Sequence, residues 1–257
     1  MSNSQVDYDR IAPSYDRRFA DGGLGGVAAA LSSLAETHAG GRILEVGCGT
    51  GHWLAGLSPA PGHLVGLDLS AGMLAQAQRR GRWLHLTRGS ADRLPFPDVC
   101  FDLVYCVNAL HHFQQQCAFV SEARRLLRPG GALAVVGMDP RTLRRRWYIY
   151  DYFEGTYDTD LARFPSWGTV VDWMVVAGFK KLEWQPVERI LDEKRGSAIL
   201  ADPFLLKDSC SQLALLTDEA YAAGLGRMET ALAAAEAAGK VLTFPVDLIL
   251  SMLVGWI

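Results

Sequence analysis

The sequence predicts an α/β fold, with a mostly parallel sheet covered by helices on both faces. Three observations predict it. Apolar strand patterns alternate with helical patterns between residues 42 and 138, the rhythm of parallel strands joined by crossover helices. A glycine-rich turn, Gly47-Cys48-Gly49-Thr50-Gly51, follows the first of these strands. The composition, 49% hydrophobic and 21% charged over 257 residues, suits a globular chain and excludes a disordered or fibrous one. A chain of this length can bury a full core without disulfide or metal staples.

Residues 1–40 read as helical, broken at Gly22, Gly23, Gly25 and Gly26. RILEVG (42–47) is a short apolar strand running into the glycine turn, and HWLAGLSP (52–59) reads as a helix stopped near Pro59. HLVGLDLS (63–70) is a second strand, followed by the helix AGMLAQAQRRG (71–81) with Gly81 as its stop. WLHLTRGS (83–90) and CFDLVYCVNA (100–109) are the third and fourth strands. CAFVSEARRLLRPGG (117–131) reads as a helix ended by Pro-Gly-Gly, and ALAVVGM (132–138) as the fifth strand. Beyond this the pattern changes. Residues 139–166 are rich in Arg and aromatics; WGTVVDWMVVAGF (167–179) reads as a helix ending at Gly178, and FKKLEWQPV (179–187) as a strand. Residues 188–243 look helical, with Tyr221, Leu225, Met228 and Leu232 on one apolar stripe. VDLILSMLVG (246–255) is the last strand. A separate second domain would not lend strands back to the first sheet, so 1–257 is read as a single domain whose surplus length forms two inserts, 139–166 and 188–243.

Charge and cysteine usage narrow the setting. A net charge of −3 gives no general basic field and argues against a nucleic-acid partner. The five cysteines, Cys48, Cys100, Cys106, Cys117 and Cys210, form neither a C-x-x-C motif nor an even disulfide framework, which points to a reducing, cytoplasmic compartment. The N-terminus MSNSQVDYDR lacks the apolar stretch of a signal peptide. The most apolar stretch, VLTFPVDLILSMLVGWI, contains Pro245 and Asp247 and is shorter than the ~20 apolar residues of a membrane span.

The glycine turn carries the strongest chemical signal. Its glycines let a ligand approach the backbone without Cβ clashes, and the helix after it offers free N–H groups and a positive dipole end. Asp68 ends the second strand, where a carboxylate accepts hydrogen bonds from a ribose diol. The dinucleotide fingerprint G-x-G-x-x-G would need its third glycine at position 52, which is His52; the glycine falls at Gly51, giving E-x-G-x-G-x-G from Glu45. That departure argues against a pyrophosphate-containing cofactor such as a nicotinamide dinucleotide.

Six segments together, YDRIAPSYD (8–16), ILEVGCGTG (43–51), GLDLSAGML (66–74), GSADRLPFPDVCFDLV (89–104), VNALHHF (107–113) and LLRPGG (126–131), resemble the class I S-adenosylmethionine-dependent methyltransferases, of the group that includes ubiquinone- and menaquinone-biosynthesis enzymes. The resemblance implies a Rossmann-like doubly wound sheet of seven strands, the last antiparallel, with helical cap inserts. It implies an N-terminal helical lid over 1–40, a cofactor-binding core over 41–138, substrate caps at 139–166 and 188–243, and returning strands at 179–187 and 246–255. It implies S-adenosyl-L-methionine as cofactor and S-adenosyl-L-homocysteine as product. Gly47, Cys48, Gly49 and Gly51 would lie against the methionine part, with Glu45 helping to bind its amino group. Asp68 would hold the ribose diol, and Leu69 and Met73 would sandwich the adenine. The family usually has Asp-Ala before LPF; here Ser90 and Ala91 stand there, and Asp92 follows. Ser90 accepts a hydrogen bond without charge, and Asp92 is the candidate substitute. Asn108 would offer backbone groups to the cofactor, and Tyr15 would belong to the lid.

Such a cofactor already carries an electrophilic methyl group, so the protein chiefly aligns a nucleophile and excludes water. A base is needed only where the nucleophile holds its proton at neutral pH. His111 and His112, just past the fourth strand, are the candidates. No metal site is read, since adjacent histidines diverge and no third ligand has matching spacing. Arg141, Arg144, Arg145 and Arg146 could meet an anionic substrate, or RNA with Trp147, Tyr148 and Tyr150 as stacking partners; alternatively they form a solvated face pairing with Asp151 and Glu154. The acceptor is expected to be a small molecule methylated on oxygen, nitrogen or carbon. The rivals are an RNA substrate and a non-catalytic module that merely binds the cofactor.

Overall fold

The computed structural model describes residues 6–19, 24–57, 63–81, 84–142 and 147–257. The chain divides into two compact units. The larger comprises Tyr8–Met138, Pro165–Glu188 and Leu250–Ile257; the smaller comprises Asp139–Phe164 and Arg189–Ile249 with Val6 and Asp7. The strands are β1 (Arg42–Val46), β2 (His63–Asp68), β3 (His85–Arg88), β4 (Phe101–Val107), β5 (Leu127–Gly137), β6 (Lys181–Arg195) and β7 (Thr243–Trp256). The α-helices are α1 (Tyr8–Ile11), α2 (Gly25–Glu36), α3 (His52–Gly56), α4 (Ala71–Arg80), α5 (Gln116–Leu126), α6 (Tyr148–Tyr152), α7 (Thr156–Arg163), α8 (Trp167–Ala177), α9 (Ser211–Ala214) and α10 (Asp218–Ala237).

The sheet has seven strands in the order β3-β2-β1-β4-β5-β7-β6. The first five pair in parallel, and β7 runs antiparallel to β5, as the family resemblance implies. In the larger unit, alternate residues of each strand feed opposite layers. Leu44, Val46, Val104, Cys106, Leu133 and Val135 pack with Phe119, Val120 and Ala123 of α5 and Val170 and Met174 of α8. Ile43, Leu103, Tyr105, Ala132, Ala134 and Val136 pack with Val27, Leu31 and Leu34 of α2 and Trp53 and Leu54 of α3.

Local chemistry sets several boundaries. Ser70 caps α4 by accepting from the Met73 N–H, and Ser166 caps α8 by accepting from the Thr169 N–H. Gly178 ends α8 in the left-handed region at φ 93°. The start of α2 has no side-chain cap of its own. Instead the Gly26 N–H donates to Glu188 Oε2 of β6 at 2.7 Å, across 162 residues of sequence. A Cβ on Gly26 would collide with the Val187 carbonyl oxygen.

Several boundaries differ from the sequence reading. Helix α5 stops at Leu126, and Arg128-Pro129-Gly130-Gly131 lies within the span of β5. Leu127 pairs with Phe101 and Ala132 with Leu103, so the segment between them is the longer side of a register shift. Pro129 and Gly130 are exposed there, where a missing N–H breaks no buried ladder bond. The first part of the 188–243 segment is strand, not helix, because β6 continues to Arg195. There Arg189 pairs with Asp247 of β7 at 2.8 Å. Helix α3 is shorter than expected, ending at Gly56; Pro59 lies outside the described residues, as does Trp83, and β3 begins at His85.

The smaller unit has its own core, with Tyr148, Ile149, Phe153, Ile199, Leu213, Met228 and Phe244 all buried. Asp160 is fully buried. It accepts from the Tyr150 hydroxyl at 2.7 Å, the Gln212 amide at 2.6 Å and the Arg163 guanidinium at 2.6 Å. The apolar stripe of α10 centres on Met228 and Gly224, its buried residues; a Cβ on Gly224 would overlap the Phe153 ring. Arg141 is exposed but tethered. It donates to Asp139 Oδ1 at 3.1 Å and to the Phe164 and Leu161 carbonyls at 3.0 and 3.2 Å, tying down the end of α7. Trp147 and Tyr148 are buried, and Tyr150 is bonded to Asp160, so these rings form no exposed stacking platform. Arg144, Arg145 and Arg146 lie outside the described residues.

The two glycines of α10 separate packing from propensity. Gly224→Ala is expected to destabilise the smaller unit by about 1–3 kcal/mol through overpacking against Phe153. Gly226→Ala meets nothing within 4 Å and is expected to stabilise by ~0.5–1 kcal/mol. Urea unfolding of both variants checks this; equal effects would remove the packing explanation.

Candidate active site

Every site residue expected from the sequence lies in the larger unit, around the C-terminal ends of β1, β2, β3 and β4. Gly47, Gly49 and Gly51 adopt φ of 72°, 53° and 72°, a region that residues with a Cβ rarely enter. The N–H groups of Gly47 and Cys48 both donate to the Leu67 carbonyl, at 2.7 and 3.0 Å, locking the turn to the end of β2. A Cβ on Gly47 would lie 2.6 Å from that of Ala109, so the segment after β4 packs directly on the turn. Asn108, at the head of that segment, has φ 48°, a conformation Asn tolerates better than most residues.

Asp68 is the pivot. Its Oδ2 accepts from the Gly49 N–H at 2.8 Å and its Oδ1 from the Ser70 N–H at 2.9 Å. One carboxylate therefore holds both the turn after β1 and the approach to α4. Burial pushes its pKa up, while the Ser70, Gly49 and Leu69 amides pull it down. Glu45 is wholly buried on β1. Its Oε2 accepts from the Tyr105 hydroxyl at 3.2 Å, and its Oε1 has no hydrogen-bond partner among the described residues. Burial raises its pKa well above the ordinary carboxylate range. Cys48 is buried, and burial raises its thiol pKa well up. Its sulfur fills the space above Gly66, where a Cβ would lie 2.8 Å away. Its side chain is packing; its backbone belongs to the turn.

The remaining expected residues divide by exposure. Leu69 is 57% exposed whereas Met73 is 1% exposed. Ala91 is buried, between half-buried Ser90 and Asp92, and the Ser90 hydroxyl donates to Asp92 Oδ1. His111 and His112 sit on one short turn with ring centroids 4.0 Å apart.

Three functional candidates, Tyr8, Asp9 and Asp16, escaped the sequence reading. Tyr8 and His112 share a hydrogen bond between the hydroxyl and Nε2 at 2.7 Å, with rings edge to face at 5.1 Å. Asp9 accepts from the Ser70 hydroxyl at 2.7 Å and the Gly72 N–H at 2.6 Å, and these bonds lower its pKa. Asp16 accepts from the Thr50 hydroxyl at 2.6 Å and pairs with Arg80 at 2.5 Å. Tyr15 packs edge-on against Tyr8 at 6.1 Å, and its ring edge lies 4.0 Å from where a Gly49 Cβ would be. A signal was present: the Tyr-Asp pair occurs twice in YDRIAPSYD, and each Asp grips a different piece of the site. Among the described residues, no group of three or more His, Cys, Asp or Glu side chains is placed to hold a metal ion, and no helix is long and apolar enough to cross a membrane.

The arrangement suits a ligand with a polar arm, a diol and a flat base laid across adjacent strand ends. Comparison with known proteins gives that ligand its family context. A methyltransferase-domain family model matches residues 44–135. The chain is 29% identical over 215 residues to a demethylmenaquinone methyltransferase of Lactiplantibacillus plantarum, covering 72% of this chain and 91% of that one. It is 37% identical over 114 residues to a phthiotriol/phenolphthiotriol dimycocerosates methyltransferase of Mycobacterium leprae, covering 43% of this chain. It spans 42% of that protein's length, and about half or less of several other curated relatives. The solved structure of Haemonchus contortus phosphoethanolamine N-methyltransferase 2 with S-adenosyl-L-methionine superposes with a TM-score of 0.61 at 18% identity, over 96% of this chain and 57% of that one. The glycine turn, the acidic end of β2, the seven-stranded order and these matches agree: residues 44–135 match the methyltransferase-domain family, and the chain is similar to S-adenosyl-L-methionine-dependent methyltransferases.

Proposed function

We propose that this enzyme transfers the methyl group of S-adenosyl-L-methionine to a small organic acceptor, on oxygen, nitrogen or carbon. The observation that carries the cofactor assignment is the unpartnered, buried Oε1 of Glu45 beneath a turn of left-handed glycines. A buried carboxylate oxygen without a donor is costly, and an amino-acid ammonium group supplies the missing donor. In this reading Glu45 and the Gly47–Gly51 turn take the methionine part, and Asp68 takes the ribose diol with its remaining lone pairs. Leu69 and Met73 flank the adenine, Ser90, Ala91 and Asp92 meet its edge, and Asn108 contributes backbone groups. Tyr15 covers Gly49 as part of the N-terminal lid.

When bound, the cofactor supplies an electrophilic methyl group on a sulfonium. The protein's own work is alignment and exclusion of water. Where the acceptor holds its proton, His112 is the favoured base and His111 its neighbour. Tyr8 orients the His112 ring through its hydrogen bond to Nε2, the positioning a general base needs. Acceptor choice is assigned to the segments 139–166 and 188–243, since the cofactor motifs end by residue 138.

Support for a small acceptor comes from three directions. The relatives above are named for a demethylmenaquinone and for phthiotriol lipids. The net charge is −3. Arg141 is committed to Asp139 and α7 carbonyls. All five cysteines are free, which fits a cytoplasmic setting. The direct test incubates the enzyme with methyl-labelled S-adenosyl-L-methionine and separate panels of phenols and quinols, carboxylates, amines and bulk tRNA. Label in a small-molecule fraction supports the reading; label only in tRNA, or cofactor binding without transfer to any panel, overturns it.

Three predictions follow the assigned roles. Asp68→Ala is expected to weaken S-adenosyl-L-homocysteine binding ~10- to 100-fold by calorimetry, the loss of charge-assisted hydrogen bonds; unchanged affinity would take Asp68 out of the ribose role. Tyr8→Phe is expected to lower kcat severalfold with cofactor affinity unchanged, and His112→Gln to mask any further effect of Tyr8→Phe; full turnover in both single variants rejects the pair. Glu45 gives a pH prediction. Its folded pKa lies well above 4.5, so between those values the folded apoprotein binds more protons than the unfolded chain, and stability falls as pH rises. Glu45→Gln removes that slope. Its stability relative to wild type is expected to improve from pH 4.5 towards neutrality in urea titrations, and a flat difference would contradict it.

A further inference from the structure

The segment that covers the glycine turn is fastened to it by one carboxylate. Tyr15–Phe19 is a single 3-10 turn, a geometry whose internal hydrogen bonds are poor. Its first two side chains do different work. The Tyr15 ring edge lies 4.0 Å from where a Gly49 Cβ would be. Asp16 Oδ1 accepts from the Thr50 hydroxyl at 2.6 Å, and Oδ2 accepts from the Arg80 guanidinium at 2.5 Å. Thr50 is 1% exposed and lies between Gly49 and Gly51; Arg80 is the last residue of α4.

The bonds at α1, Tyr8 to His112 and Asp9 to Ser70 and Gly72, hold the chain further upstream. Asp16 is the tether beside Tyr15, and it grips the turn itself. Its two halves differ in strength. The Thr50 donor is buried. The ion pair stands at the solvent boundary, with the Asp16 and Arg80 side chains 43% and 30% exposed, where such pairs are weak. Both bonds end on protein atoms, so they favour the covered turn equally with a ligand beneath Tyr15 or without one. A tether of that kind has a kinetic signature. Loosening it eases opening from both sides, so association and dissociation speed up together and their ratio, the affinity, holds. A residue that touches the ligand acts mainly on escape and changes the affinity.

We propose that Asp16 is a positioning residue that clasps Tyr15 over the backbone of Gly49, and that this clasp sets how fast S-adenosyl-L-methionine enters and S-adenosyl-L-homocysteine leaves without setting how tightly either binds. The clasp rests on the cofactor reading above, in which the turn takes the methionine part, and adds to it a control on exchange that none of the ligand-holding residues supplies.

The test is stopped-flow binding of S-adenosyl-L-homocysteine, followed by intrinsic fluorescence, which returns both rate constants. The proteins are wild type, Asp16→Ala, Thr50→Val, Thr50→Ser, Arg80→Ala, the double variant Asp16→Ala/Arg80→Ala, and Asp68→Ala; thermal melts establish that each folds. Asp16→Ala is expected to raise both rate constants about five- to twentyfold, with Kd held within about twofold. Thr50→Val is expected to do the same, and Thr50→Ser, which keeps the hydroxyl, to behave as wild type. Arg80→Ala is expected to give a smaller rise that disappears in the Asp16→Ala background. If Asp16→Ala speeds dissociation alone and weakens Kd, Asp16 supports the ligand pocket directly and the clasp is overturned. If Asp16→Ala and Thr50→Val exchange ligand at the wild-type rates while Asp68→Ala weakens binding, the cofactor reading stands and the clasp is overturned. Absence of binding to wild type overturns both.

Discussion

The two hydrogen bonds that Asp68 accepts, from Gly49 and Ser70, are the constraint on which the site depends. Parallel strands leave their C-terminal ends as unpaired loops, and the loops after β1 and β2 here have no regular structure to hold them. A carboxylate at the end of β2 ties both by backbone amides. Burial raises the pKa of Asp68, and the same bonds oppose that rise. Position and charge thus have one origin, and substitution of Asp68 removes both together.

Around this pivot, carboxylates of similar chemistry are held in different states. Asp9 gains a hydroxyl and an amide donor, which lower its pKa. Glu45 is enclosed by β1 and its neighbours, and burial raises its pKa although the Tyr105 phenol and the Leu54 amide oppose it. Asp16 is paired with a guanidinium. The difference is solvation and donor count, not residue type. A cationic ligand would add the donor that Glu45 lacks while leaving Asp9 and Asp16 in their protein contacts.

The sheet was largely legible because its signal is local. Apolar runs, the glycine turn and Asp68 are neighbours in sequence, and β1, β2 and β4 lie where those runs place them. What was illegible depends on distant partners. The cap of α2 comes from Glu188, 162 residues away. The extension of β6 to Arg195 accompanies an ion pair with Asp247, so a segment of charged residues that reads as helix is strand. The Arg128–Gly131 stretch reads as a helix stop and a turn; a register shift opposite Phe101 absorbs it into β5. Arg141 reads as a surface cation, yet its guanidinium serves the end of α7. In the site, contiguous motifs bring Gly47, Gly49, Gly51, Asp68 and Asn108 to neighbouring strand ends, whereas the pairings made across the fold, Tyr8 with His112 and Asp9 with Ser70, were not legible.

Helix α1 shows how such distant partners build an element that sequence propensity could not. It has four residues, far fewer than a helix needs to persist by itself. Its adjacent side chains reach in opposite directions. Asp9 binds Ser70 and Gly72, beyond the end of β2, and Tyr8 binds His112, beyond the end of β4. In the sheet, β1 lies between those two strands. The short helix therefore bridges the strand ends on either side of the glycine turn, anchored by a few polar bonds and a close approach at Gly72, where a Cβ would lie 3.0 Å from Asp9 Oδ1. Ile11 adds a buried apolar anchor, but most of the hold is polar and near solvent. The helix is thus specified by polar partners on two strand ends and not by its own length.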